Sequence, residues 1–323
     1  MTHPFLLLLL GFVVGTLTGC FGVGGGFLMT PALNILGLPI ACAIGTNFSA
    51  VVVNTFVGAV RQYRLGNVDF KLGLTTGASC VMGVEFGKRM VLFLGRLNLA
   101  ESCVRISYMA LLLTISLLML RECYLRSKGK GPGEERKMIL RGRSLWRNVP
   151  PRISLPASGI RISLWPIIGF GGIIGFLAGF MGFGGGFIIL PLLIYVIGAP
   201  TLTAIGTTSM VVFFTSSYGS IAYALTGNVK WMAALVILLG SITGVQVGVS
   251  ASKDMTDIRL RLLFALLLFF VVISVLLKEL KLATTSIYIM IGSASALAGI
   301  MLISVARRTI FRGIKGNGND SSM

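Results

Sequence analysis

The sequence predicts an all-α membrane protein built from two related halves, and three observations predict it. Of its 323 residues 55% are hydrophobic and only 12% charged, outside the usual composition of water-soluble domains. A glycine run, Gly22-Val23-Gly24-Gly25-Gly26-Phe27, lies inside an apolar stretch, with Pro31 just beyond; it returns as Gly182-Phe183-Gly184-Gly185-Gly186-Phe187 with Pro191 in the same place. Between the two copies lies a basic segment: 11 of the 28 Lys and Arg residues fall from Arg121 to Arg161, against Glu122, Glu134 and Glu135 alone.

The halves align over about 70 residues. At an offset of 160, Gly15, Leu17, Gly19, Gly22, Gly24 to Phe27, Pro31 and Leu33 meet identical residues. After one inserted residue the offset is 161, and Gly37, Pro39, Ala43 to Thr46, Gly58, Gly66 to Val68, Gly83, Val84 and Gly87 match in turn. A duplicated membrane unit is the signature of a secondary transporter. The division this implies is a first repeat at 1–120, a basic linker at 121–163, a second repeat at 164–281, an extra C-terminal helix at 282–306 and a polar tail at 307–323.

Taken in order, the first repeat has apolar segments at about 5–36, interrupted by the glycines, then 43–60, 70–94 and 104–120. The second has 165–197, again interrupted, then 204–225, 231–251 and 260–277, with a further segment at 287–305. The uninterrupted ones suit spanning helices. Glycine costs about 1 kcal/mol per residue inside a helix, so three in succession end it. In lipid the amide and carbonyl groups freed there need protein or a wet cavity around them.

Two topologies fit. If each interrupted segment crosses the membrane once, each repeat has four spans and the repeats are parallel. If it enters, turns at the glycines and leaves by the same side, each repeat has three spanning helices plus a re-entrant hairpin, and the repeats are inverted. With the linker in the cytoplasm, the inverted arrangement puts 21 of the 28 basic residues inside and the parallel one 17, so the positive-inside rule favours inversion. Lys88, Arg89, Arg96 and Arg105 fall outside in both.

Several function classes are excluded by the same residues. The glycine runs are followed by Phe27 and Phe187, where a phosphate-binding loop needs Lys with Ser or Thr, and no acidic residue follows at the dinucleotide-binding distance. Five cysteines, Cys20, Cys42, Cys80, Cys103 and Cys123, show no metal-type spacing, and His3 is the one histidine, so neither a disulfide framework nor a metal site is expected. The net charge of +18 reflects a cytoplasmic linker touching anionic lipid, not a nucleic-acid surface. Leu17-Thr18-Gly19-Cys20 looks like a lipoprotein cleavage site, but no basic residue precedes the apolar run, and the pattern recurs at Leu177-Ala178-Gly179-Phe180.

The duplicated Gly-x-Gly-Gly-Gly-Phe with its following proline is accompanied in each half by Gly45-Thr46-Asn47 or Gly206-Thr207-Thr208, then by Gly66-Asn67-Val68 or Gly227-Asn228-Val229. In that order these motifs resemble the TauE/SafE sulfite exporter family, also called TSUP, over nearly the whole chain outside the linker and tail. The resemblance implies a multi-pass plasma-membrane transporter of small anions, often sulfite, thiosulfate, sulfoacetate or other organosulfonates, with no cofactor and no enzymatic reaction. A carboxylate such as lactate is the alternative cargo, and a non-transporting scaffold docking through its linker the alternative role; a homodimer is compatible with either.

An anion needs no buried cation if helix N-termini supply unpaired amides. The expected cradle is Gly24, Gly25, Gly26 and Phe27 with Gly184, Gly185, Gly186 and Phe187. Thr46, Asn47, Thr207, Thr208 and Ser209, at the start of the next helices, could add donors or serve as helix caps. Asn54, Ser216 and Ser217 lie deeper, where interhelical bonding is the commoner role. Glu85, opposite Gln246 of the second copy, is the candidate coupling residue, with Lys88 and Arg89 as its alternative partners. Arg61, Arg64 and Lys71 read as inside-facing anchors, and Cys20, replaced by Phe180 in the second copy, as a packing residue.

Overall fold

The computed structural model describes residues 4–21, 26–127, 152–155, 160–197, 199–252, 257–280 and part of 282–299. Gly22 to Gly25, most of the linker and the tail fall outside these residues. The helices are α1 (Pro4–Phe21), α2 (Gly26–Ile35), α3 (Ile40–Arg64), α4 (Phe70–Arg96), α5 (Ala100–Ser127), α6 (Leu164–Met181), α7 (Gly186–Pro191), α8 (Thr201–Ala224), α9 (Trp231–Ser252) and α10 (Asp257–Glu279). Apolar stretches within α3, α5, α6 and α9 are long enough to cross a membrane, and a shorter apolar helical stretch covers Tyr288–Leu297. The body is therefore helical, as the composition predicts.

One strand pair is added to it. Strands β1 (Arg152–Leu155) and β2 (Ile160–Ser163) form an antiparallel hairpin at the end of the linker. Their sequences, Arg-Ile-Ser-Leu and Ile-Arg-Ile-Ser, alternate polar and apolar residues with the strand period of two. The register sets Ile153 opposite Ile162 and Leu155 opposite Ile160. Ser163 then caps α6, its hydroxyl accepting from the Trp165 amide at 3.4 Å.

Helices pair across the two halves of the chain. α1 packs on α9, α4 on α6, α3 on α8 and α5 on α10. Glycines set how closely the first two pairs approach. A Cβ on Gly11 or Gly15 would lie 2.3 or 2.4 Å from the carbonyl oxygens of Ile237 and Ser241, and one on Gly240 or Gly244 would meet those of Leu8 and Phe12. In the other pair, Gly175 and Gly179 of α6 rest on Cys80 and Val84 of α4, while Gly83 and Gly87 rest on Gly172 and Phe176. Small residues one turn apart on both partners bring the backbones into contact, the packing that replaces the hydrophobic effect in lipid.

These contacts also give directions. Along α4 from Thr76 to Val84 the facing residues of α6 rise from Gly171 to Gly179, so the two run the same way. α3 and α8 run oppositely: Ser49 bonds Ser220 at 2.8 Å, and the Phe56 and Phe213 rings lie 5.4 Å apart. α5 and α10 are antiparallel too, with Ser116 donating to Ala265 O and Arg105 bridging Glu101 and Glu279.

α2 is buried at all ten positions, which explains why its sequence is apolar on every side. Its C-terminal end is held by Lys278 of α10, which donates to the carbonyl oxygen and, at 2.8 Å, to the side-chain oxygen of Asn34. In the corresponding place α7 passes into a π-helical turn, Leu192–Ile197, directly after Pro191. Proline has no N–H to give the α-helical ladder, and the wider turn takes up the slipped register.

Candidate functional site

The candidate site is the place where the two broken segments meet. α6 stops at Met181, and Gly182, Gly184 and Gly185 take φ of 81°, 74° and 86°, the left-handed region that costs any other residue about 1–2 kcal/mol. Gly182 closes α6 with its N–H on Ala178 O at 2.7 Å, and Gly185 starts α7 by accepting from Ile188 and Ile189. The other segment comes alongside at Gly26, where an added Cβ would sit 2.8 Å from Phe183 O. The Phe27 and Phe187 rings are tilted against each other with centroids 5.8 Å apart, and the Phe183 and Phe187 rings likewise at 4.7 Å. Gly24 and Gly25 lie outside the described residues.

Carbonyls and amides fare differently there. The last carbonyls of α6 are taken: Tyr223 donates to Gly179 O at 2.8 Å, Tyr108 to Met181 O at 2.6 Å, and Asn47 to Gly182 O at 2.5 Å with Thr30 beside it at 3.3 Å. Asn47 also reaches Gly26 O at 2.9 Å, so one side-chain amide bridges both segments. The N–H groups of Gly184, Gly185, Gly186 and Phe187, by contrast, meet no acceptor among the described residues. Thr215 donates to Gly184 O at 3.0 Å. Next to it, Ser216 Oγ lies 3.2 Å from where a Gly184 Cβ would be, and this fully buried hydroxyl has no partner among the described residues. Thr208 Oγ1 and Asn47 Oδ1 are likewise buried and unpartnered.

Thus Gly26, Phe27, Asn47 and Gly184 to Phe187 come together. Thr46 and Thr207 do something else. Thr46 Oγ1 accepts from the Lys230 amide at 3.0 Å, and Thr207 Oγ1 accepts from the Asp69 amide at 3.1 Å. Beside them, Cβ atoms on Gly45 and Gly206 would lie 2.2 and 2.1 Å from the Asn228 and Asn67 carbonyl oxygens. Each Gly-Thr pair therefore docks onto the Gly-Asn-Val turn of the other half. Ser209 bonds back to Ile205 O in its own helix, and Asn54 crosses from α3 to Ser241 of α9 at 2.9 Å.

Glu85 belongs to a separate cluster. Its carboxylate accepts from Lys88 at 2.7 Å, Arg89 at 2.8 Å and the Tyr218 hydroxyl at 2.7 Å, which ties α4 to α8. The sequence reading missed Tyr108, Tyr223 and Thr30. The signal available was a tyrosine deep in an apolar span, since a buried hydroxyl needs a partner.

The family model described as sulfite exporter TauE/SafE matches residues 7–275. The chain is 26% identical over 263 residues to the probable membrane transporter protein YunE of Bacillus subtilis, covering 77% of this chain and 89% of that one. It is 25% identical to a probable membrane transporter protein of Methanocaldococcus jannaschii (81% and 91% covered) and 28% identical to one of Xylella fastidiosa (76% and 86%). No solved structure matches the chain.

Proposed function

Because the chain belongs to the sulfite exporter TauE/SafE family and is a membrane transporter of that family, we propose that its cargo is a small sulfur oxyanion or organosulfonate held by backbone amides where the two broken helices meet. The observation that carries this reading is the asymmetry at the second break. The carbonyls of Gly179, Met181 and Gly182 are capped by Tyr223, Tyr108 and Asn47, while the amides of Gly184 to Phe187 and the hydroxyls of Ser216 and Thr208 are left without partners among the described residues. Free donors beside mostly capped carbonyls suit an anion, although Asn47 Oδ1 is a buried acceptor left open as well. A tetrahedral or pyramidal oxyanion can accept from several of these donors at once, with no lysine or arginine at the junction among the described residues.

The inverted topology belongs to the same proposal. α6 runs with α4, Ile189 of α7 comes back against Ile174 through the Gly185 turn, and Gly206 of α8 rests on Asn67 just ahead of α4. This favours a chain that leaves by the side it entered, a re-entrant hairpin. The antiparallel course of α3 and α8 favours repeats of opposite orientation, with the basic linker on the cytoplasmic face of the plasma membrane and near anionic lipid. The linker is a surface segment of the transporter in this reading, and shortening it should spare transport.

Thermal-shift titration of the purified protein with sulfite, thiosulfate, sulfoacetate, taurine and lactate tests the cargo. A sulfur oxyanion or sulfonate should stabilise it, by about 2.7 kcal/mol at one hundred times Kd. Stabilisation by lactate alone would replace the sulfur cargo with a carboxylate. Counterflow in liposomes separates the role of Glu85. Proton-driven accumulation lost with counterflow intact in Glu85→Gln assigns coupling, and loss of both assigns a tether between α4 and α8.

A further inference from the structure

The α4–α6 pair carries a groove that its counterpart α1–α9 is not expected to share. About 380 Å³ of open space lies between Ser79, Met82 and Phe86 on α4 and Gly172, Ile173 and Phe176 on α6. Its walls are apolar and its rim faces outward: Met82 is 71% and Phe86 66% exposed. The space exists because Gly172 has no side chain; a Cβ there would meet nothing within 4 Å. At the alignment offset of 160 its counterpart is Phe12, a ring in place of a hydrogen.

One turn beyond Phe86 on the same stripe of α4 stands Arg89, its side chain 72% exposed. Lys88 and Arg89 share the single carboxylate of Glu85, so the cluster keeps one positive charge. Arg89 gives Nε to Glu85, and its two terminal nitrogens meet no acceptor among the described residues. The positions matching Glu85, Lys88 and Arg89 in the second half are Gln246, Val249 and Ser250. At the aligned positions the α4–α6 pair thus carries both the glycine and the cations, and the α1–α9 pair carries neither.

We propose that this groove binds an anionic phospholipid, one acyl chain lying over Gly172 and the phosphate accepting from Arg89. An exposed guanidinium on a membrane-facing helix calls for an anion, and an apolar channel beginning one turn below it sets how that anion is anchored. This site is separate from the glycine junction, and its reading does not depend on the cargo.

Native mass spectrometry of the full-length protein, released from nanodiscs of equal parts phosphatidylglycerol and phosphatidylcholine, tests the site. The wild type should retain phosphatidylglycerol over phosphatidylcholine by about fivefold, as one net positive charge at a headgroup allows. Arg89→Gln should erase the preference while lipid is still retained. Gly172→Leu should remove retention of both lipids, with an unchanged melting temperature because the added side chain enters open space. Equal retention of the two lipids by the wild type, or wild-type retention in both variants, would overturn the proposal. So would a second copy of the chain in the groove, seen as a dimer that Gly172→Leu turns into monomer without loss of lipid.

Discussion

Ser216 separates the cost of folding from the needs of the cargo. A buried hydroxyl without a partner among the described residues costs about 1–3 kcal/mol, and at the proposed cargo site a bound anion would supply that partner. Ser216→Ala should therefore leave the melting temperature unchanged or raised, while uptake into proteoliposomes weakens about tenfold, the loss of one hydrogen bond to a charged group. Unaltered uptake would remove Ser216 from the site. Gly185→Val should abolish transport by a different route, since φ of 86° strains any side chain at the mouth of α7. At this scale the glycines and Asn47 were legible from sequence, because broken helices leave a compositional trace. Thr208 and Ser216 were named from sequence as possible donors or interhelical residues, but their lack of a partner among the described residues, and the capping by Tyr108, were not legible, because whether a polar side chain is satisfied depends on neighbours distant in the chain.

Glycine spacing decides how the helices assemble. A Cβ on Gly175 would sit 2.1 Å from Cys80 O, inside any permitted contact, so Gly175→Leu should prevent assembly, read as loss of a monodisperse peak in detergent. Thr46→Val and Thr207→Val should each lower stability by about 1 kcal/mol, and by similar amounts, because each removes one acceptor from an equivalent amide in the opposite half. Unequal losses in thermal melts would show that the two docking points differ. The Gly11, Gly15 and Gly240, Gly244 pairs stand one turn apart in the sequence and could be read there as contact stripes. Which stripe faces which could not, since all four are locally alike and the choice is made by the tertiary fold. The π turn after Pro191 was also hidden, because Pro31 in the matching place stays within an α-helix.

For the whole molecule, orientation is the testable quantity. Leu65 and Leu225 are exposed at the ends of α3 and α8, 63% and 84% respectively. With native cysteines removed, Leu65→Cys and Leu225→Cys should react with a membrane-impermeant maleimide from opposite sides of sealed vesicles. Labelling from the same side would mean parallel repeats. Hydrophobic content made the helical membrane class readable in advance. The crossing of the halves was not, because it appears only when α1 is seen beside α9 and α4 beside α6.

That crossing carries a consequence for how such a chain could arise and be rebuilt. Since Gly45-Thr46 closes over Asn228 and Lys230, and Gly206-Thr207 over Asn67 and Asp69, each half draws on the other at the start of one of its helices. Under the inverted arrangement proposed above, a single ancestral unit would have needed a twin lying upside down beside it. The modern chain, severed within its linker and made as two polypeptides in one cell, should still knit itself into a working carrier.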